Sequence, residues 1–182
     1  RGTFPGNDPN NVTLAVDELI KSVDMVAPDS QDRELTTLVT TIGELVSTDR
    51  DLDALVAPYH PETLLHRARL EYEVAANWKV VVENYHECYH CPRIHPELCR
   101  VSPPTSGANF DLPGSWVGGS MELRAGATTM SLSGASDATP IDGVDPRVVL
   151  YLGLFPNLLI SLHPDYVMTH RLVPLEPGLT HI

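Results

Sequence analysis

The sequence predicts an α+β fold in which a long amphipathic helix lies against an antiparallel meander, with a helical hairpin ahead of both. Three observations carry this. Apolar residues recur at spacings of three and four over 14–23 and 35–46; a second such stripe follows Asn77; and the last third of the chain is a series of short apolar runs separated by tight-turn dipeptides. At 182 residues, 42% apolar and 20% charged, the chain is long enough for one globular domain, or one plus a small appendage.

The first eleven residues, RGTFPGNDPNN, read as extended chain without an apolar period. Leu14, Val16, Leu19, Ile20 and Val23 form one helical stripe, and Leu35, Leu38, Val39, Ile42, Leu45 and Val46 a cleaner one; Pro28-Asp29-Ser30 between them makes a helical hairpin. Pro58 to Pro61 punctuates the chain. Arg69 to Val74 alternates polar and apolar residues, as a half-buried strand does. Asn77 is a good N-cap for a helix running through WKVVVENYHECYHC, with Trp78, Val81, Val82, Tyr85 and Cys88 on its buried stripe and Pro92 as its kink or end. Residues 102–119 and 133–146 read as loops. Strands are expected at Met121–Leu123, Thr128–Leu132, Val148–Phe155, Leu158–His163, Tyr166–Val173 and from Leu179, with Pro156-Asn157 and Pro164-Asp165 as hairpin turns.

Charge narrows the function. Twenty-four acidic residues against twelve Lys and Arg give a formal charge of −12, and no basic cluster offsets it, so nucleic acid is not an expected partner. The longest apolar stretch, Val148 to Leu162, is broken by Gly153, Pro156 and Asn157, so no membrane span is expected. The cysteines, Cys88, Cys91 and Cys99, are odd in number and too local for a disulfide scaffold, which points to a reducing cytoplasm and to Cys88 and Cys91 as packed thiols. The chain begins at Arg1 rather than methionine and stops in mid-pattern, and it reads as a piece of something longer.

The chemistry concentrates in Asn77 to Pro96, NWKVVVENYHECYHCPRIHP. On one uninterrupted helix Glu83, His86, Glu87 and His90 fall at i, i+3, i+4 and i+7 and share a face. A kink at Pro92 swings His95 back towards His90, giving two neutral imidazoles suited to Fe, Zn or Cu. Two metal readings share these residues. His86-Glu87-Cys88-Tyr89-His90 is an H-E-x-x-H string, the zinc-protease pattern with Glu87 as general base. Alternatively, His90 and His95 supply two ligands of a two-histidine, one-carboxylate site for Fe(II). A metal-free ligand-binding domain of the same architecture is a third reading. His163, His170 and His181 are expected as ordinary strand histidines, and Met121, Met130, Phe155 and Met168 as packing or cavity lining.

Asn77-Trp78-Lys79, Glu83-Asn84-Tyr85, Glu87-Cys88-Tyr89-His90 and His95-Pro96, in this order and spacing, resemble the catalytic-domain signature of Rieske-type non-haem iron oxygenases, the alpha subunits of ring-hydroxylating dioxygenases and their relatives. The resemblance runs from about Leu52 to Ile182. It implies a partial helix-grip catalytic domain over 52–182, with 1–51 a helical segment outside it. It implies His90 and His95 as iron ligands, Glu87 as the acidic bridge towards a Rieske [2Fe-2S] cluster of a neighbouring subunit, and Asn84 as a residue close to the iron. It further implies a small-molecule substrate and O2, electrons from NAD(P)H through a reductase or ferredoxin, and a homotrimer or α3β3 assembly. Glu87, where many aromatic-ring members have Asp, is similar to the branch acting on quaternary ammonium compounds. The third ligand, an Asp in the family, is expected outside the chain, with Asp165 the in-chain substitute. The cluster's own ligand pairs have no counterpart before Cys88.

Overall fold

The structure, a computed structural model, describes residues 49–182. The hairpin expected at 14–46 lies outside these residues. The chain divides into two compact units, Arg1–Arg67 and Ala68–Ile182.

In the first unit, helix α1 (Arg50–Val56) starts where the Asp49 carboxylate accepts from the amides of Asp51 and Leu52, and it leads into two short 3-10 turns around Pro58 and Pro61. The second unit contains helices α2 (Trp78–His86), α3 (Cys91–Ile94) and α4 (Pro96–Val101). Its strands are β1 (Glu73–Val74), β2 (Ala108–Asn109), β3 (Trp116–Glu122), β4 (Val148–Leu154), β5 (Leu158–Leu162), β6 (Val167–Arg171), β7 (Val173–Glu176) and β8 (Leu179–His181). They form a five-stranded antiparallel sheet, β2-β3-β4-β5-β6, and a three-stranded one, β1-β8-β7. Among the described residues no helix is long and apolar enough to cross a membrane.

From Val148 to Arg171 the meander is the one the turn dipeptides predict; the strand expected over 166–173 is split at Leu172, and β7 passes into the smaller sheet. Its middle strand, LLISL, is buried along its whole length, as a strand covered on both faces must be. Leu152, Leu158, Ile160 and Leu162 fill one side of it. On the other side the register aligns Tyr151 with Ser161 and Met168, and Gly153 with Leu159 and His170. This face receives α2. Tyr85 shares a 2.8 Å hydrogen bond with the Ser161 hydroxyl, and the His86 ring lies where a side chain on Gly153 would project. Gly153 is therefore required by close approach. We expect Gly153→Ala to push β4 from α2 and cost about 1–3 kcal/mol in urea unfolding, whereas Gly178→Ala, which meets nothing within 4 Å, shifts stability by less than about 0.5 kcal/mol.

Several expected elements differ. The run 69–74 is reduced to a two-residue strand. Residues 116–119 are strand rather than loop: Gly118 and Gly119 admit the Phe110 ring and the Ala108 carbonyl, contacts a side chain would block. Thr128–Leu132 is not a strand, because its hydroxyls bond elsewhere: Thr129 to the Asp165 carboxylate at 2.7 Å and Ser131 to the Ala135 carbonyl at 2.9 Å. The long metal-binding helix is the largest correction. It ends at His86, with Glu87 extended at φ −115° and ψ 151°.

Candidate metal centre

The start of α2 is anchored by side chains. Asn77 accepts from the Lys79 amide at 3.0 Å and donates to the Pro177 carbonyl at 2.8 Å, while the Thr180 hydroxyl donates to the Ala76 carbonyl at 2.8 Å. Nine residues later, at His86, the helix stops. Pro92 has no N–H to give to Cys88, as a continuous helix would require. The Glu87 carboxylate instead takes the Tyr89 amide at 3.0 Å, and the Cys91 amide donates to the Cys88 carbonyl at 3.1 Å, closing a β-turn. Cys88 and Cys91, expected as packed thiols, are joined across this turn as a disulfide.

Each candidate histidine then occupies a junction before a proline-started helix. His90 precedes α3, with Pro92 in its first turn, and His95 precedes α4, which opens on Pro96. His95 takes φ −126°, outside the helical region, as a residue before proline must. Two chain breaks, rather than one kink, therefore bring the imidazoles together, with ring centres 5.3 Å apart and planes at 76°. Imidazoles bound to one first-row ion through nitrogens at about 2.1 Å have centres about 4.5–5.3 Å apart, so this pair fits.

Glu87 organises the pair. Its Oε1 accepts from His90 Nδ1 in a short contact and from the Asn84 amide at 3.3 Å. The Asn84 amide also rests 3.2 Å from Nδ1 and 3.5 Å from Nε2 of His90. A carboxylate only accepts, so the proton sits on Nδ1 and the Nε2 lone pair is left for a metal. Partial burial pushes the Glu87 carboxyl up, but the His90 and Asn84 hydrogen bonds outweigh this and hold it below the usual carboxylate range.

The structure separates residues that the uninterrupted helix would have grouped. His86, one half of the H-E-x-x-H string, turns into the sheet, and its Nε2 is buried without a partner. The zinc-protease arrangement, which needs His86 and His90 on one helical face, is not formed. Glu83 is exposed on α2. Asp165 spends its carboxylate on Thr129 and does not join His90 and His95; among the described residues no group of three or more His, Cys, Asp or Glu gathers as a metal cage.

Beneath α2 lies a cluster that sequence reasoning took for plain packing. Tyr85 meets Tyr151 and His170 edge-on, Tyr151 meets His163, and His163 stacks on Tyr166 at 4.0 Å. Ser161 and His163, polar residues at the end of an otherwise apolar run, were its only signal. Burial raises the Tyr85 and Tyr151 hydroxyls well above their ordinary range. It lowers His163 to about 4, a nearby Asp165 charge opposing weakly, and it lowers His86 and His170 in the same direction. Neither ring nitrogen of His163 has a partner. The unfolded chain, with histidine near 6.5, binds protons that the fold rejects. This contribution is intact above pH 6.5 and is lost as pH falls from 6.5 towards 4, by about 3 kcal/mol for His163. Urea midpoints at pH 7 and 4.5 measure it, and His163→Phe should flatten the slope.

Beside His95 an open cleft of about 540 Å³ is lined by His95, Glu97, Leu98, Val101, Met130 and Leu132. Of the residues expected as packing or cavity lining, Met130 is in this cleft, Met121 is buried in β3, and Met168 and Phe155 are about half exposed.

Residues 61–182 match the family described as ring hydroxylating alpha subunit (catalytic domain). The chain is similar to the glycine betaine monooxygenase oxygenase subunit of Chromohalobacter salexigens, 47% identical over 47 residues, which are 26% of this chain and 11% of that protein. It is also similar to the carnitine monooxygenase oxygenase subunit of Acinetobacter baumannii, 62% identical over 29 residues, 16% of this chain and 8% of that one. Among solved structures it resembles a quaternary ammonium Rieske monooxygenase studied for carnitine oxidation by gut microbiota and inter-subunit electron transfer. The TM-score is 0.57 at 20% identity, covering 74% of this chain and 34% of that one. The monooxygenase CntA with L-carnitine gives a TM-score of 0.53 at 18% identity, covering 77% and 34%. At such identities the likeness is one of fold, a mixed helix and antiparallel-sheet catalytic domain. The chain spans about a third of the length of these structures.

Proposed function

The chain belongs to the family of ring hydroxylating alpha subunits, and from that premise we propose that it is the iron-holding part of a Rieske oxygenase acting on a quaternary ammonium compound. The observation that carries this reading is the Glu87–His90–His95 arrangement: one imidazole fixed by a carboxylate as an Nε2 donor, with a second beside it at metal-sharing distance. His90 and His95 hold Fe(II), and the third ligand is an aspartate from a part of the protein outside this chain. When bound, the iron supplies activation of O2 for oxygen insertion into the substrate, with electrons drawn from NAD(P)H through a reductase and a Rieske [2Fe-2S] cluster.

The chain's own residues perform four tasks. Glu87 orients His90 and keeps the proton on Nδ1. Being only partly buried, with 29% of its side chain exposed, it also faces outward as the bridge to the cluster of a neighbouring subunit in a trimer. Asn84 braces both Glu87 and His90. The cleft beside His95 admits the substrate, with Leu98, Val101, Met130 and Leu132 as apolar wall and Glu97 as an anionic group at its rim. Apolar wall and negative charge together suit a cation wrapped in methyl groups, and the overall −12 charge favours its approach. We read helix α2 over the sheet as part of the family's helix-grip arrangement, with 52–182 as the partial catalytic domain and 1–51 outside it.

Substrate choice is supported by Glu87 in place of Asp and by the glycine betaine and carnitine oxygenases among the relatives. Oxygen uptake by the full-length protein with its reductase tests it. Glycine betaine or carnitine is expected to stimulate NAD(P)H-dependent O2 consumption, and an aromatic ring is not; stimulation by the ring alone would reverse the assignment.

A further inference from the structure

The turn that presents His90 is closed by a bond that metal binding does not use. Cys88 and Cys91 are disulfide-bonded across it, and His90 lies between them. Residues 87–90 belong to no helix or strand. Helix α2 has ended and Glu87 is extended, and the non-covalent ties of the turn are the Cys91-to-Cys88 backbone bond, the His90 carbonyl accepting from the Arg93 and Ile94 amides, the Glu87 contacts to Tyr89 and His90, and the Asn84 amide against Glu87 and His90. The two sulfur-bearing residues differ in access: Cys91 is 4% exposed, whereas Cys88 is half-buried. In a reducing compartment glutathione and dithiol proteins keep such pairs open, so a local pair of this kind follows the thiol–disulfide balance rather than stapling the fold.

We infer that Cys88–Cys91 is a reversible redox site, opened by an external dithiol, whose closed form holds Glu87 and His90 in the metal-binding arrangement. A thiolate of the dithiol attacks Sγ of Cys88, the more accessible sulfur, and the Cys88–Cys91 bond breaks. Cys91 leaves as a thiolate and takes up a proton. The second thiol of the reductant then displaces Cys88 from the mixed disulfide. Two electrons and two protons pass to the protein, and the reductant ends as its own disulfide. Once opened, the turn loses its covalent closure, and the His90 ring is oriented by its part-buried bond to Glu87 and its exposed contact with Asn84.

The link to metal binding rests on His90 and His95 being the iron ligands, and the test separates the two. Full-length protein is loaded anaerobically with Fe(II), then divided into an oxidised sample and one treated with dithiothreitol and desalted. Alkylation and mass measurement count the thiols, and a ferrous chelator reads iron release. Reduction should expose the Cys88 and Cys91 thiols and speed release about tenfold, comparable to losing an outer-shell support of a metal ligand. Cys88→Ser should release iron at the reduced rate whatever the treatment; it avoids disturbing the buried Cys91. Equal thiol counts in both samples overturn the redox site. Different counts with equal release rates overturn its coupling to iron. No iron bound beyond that of the cluster in either sample overturns the ligand assignment, and with it the coupling, while the thiol count still decides the redox site.

Discussion

Replacing His90 with alanine in the full-length protein is expected to remove the mononuclear iron, leaving the cluster iron, and to abolish oxygenase turnover while leaving the fold in place. His90 and His95 occupy junctions between short helices, outside the buried sheet, and neither is among the buried residues of the core, so truncation should leave the core packing in place. Loss of an outer-shell partner already costs a metal site about 10–100-fold in affinity or activity. Loss of a ligand should exceed that, and His95→Ala should match it. His86→Ala is the informative contrast. Its ring is seated against Gly153 rather than beside His90, so iron content should be retained and stability should fall. Metal analysis beside circular dichroism of the three variants decides this, and iron lost from His86→Ala would restore the H-E-x-x-H pairing.

Glu87→Gln carries the second largest effect. The carboxylate accepts from His90 Nδ1, the Asn84 amide and the Tyr89 amide. Glutamine offers one acceptor oxygen and no charge, so at least one of these donors loses its partner and His90 is no longer fixed as a single tautomer. Iron affinity should fall about 10–100-fold. If Glu87 also bridges to the cluster, turnover should stay low after iron has been restored to saturation, and the cluster should reoxidise slowly in a single turnover. A purely orienting Glu87 would instead recover with added iron. Glu87→Asp, which keeps the charge one methylene short, should recover part of both losses.

What the sequence disclosed depended on how local the cause was. His90 and His95 were legible because they stand in a local run, Glu87-Cys88-Tyr89-His90 and then His95-Pro96, with Pro92 signalling a change of chain direction between them. The meander was legible from Pro156-Asn157 and Pro164-Asp165. The end of α2 was hidden, since His86, Glu87 and His90 continue a helical period while the forces that stop the helix are a side-chain bond from Glu87 and a disulfide, neither of which periodicity registers. The same holds for Gly118 and Gly119, whose small size reads as loop until the Phe110 ring and the Ala108 carbonyl are seen against them. The hydroxyls at Thr129 and Ser131 alternate like strand residues, yet they serve loop contacts to Asp165 and Ala135. The polar cluster under α2 could not be found by spacing at all, because its members come from α2, β4, β6 and the β5–β6 turn and meet only through strand register.

The central claim is that His90 and His95 hold a ferrous ion with a coordination position left open. Nitric oxide binding to the anaerobically Fe(II)-loaded full-length protein, read by electron paramagnetic resonance, tests it most directly. The account predicts a stoichiometric high-spin ferrous–nitrosyl signal that disappears in both His90→Ala and His95→Ala and persists in His86→Ala. A signal of full intensity in His90→Ala and His95→Ala, or iron bound by the wild-type protein without any nitrosyl signal, would contradict it.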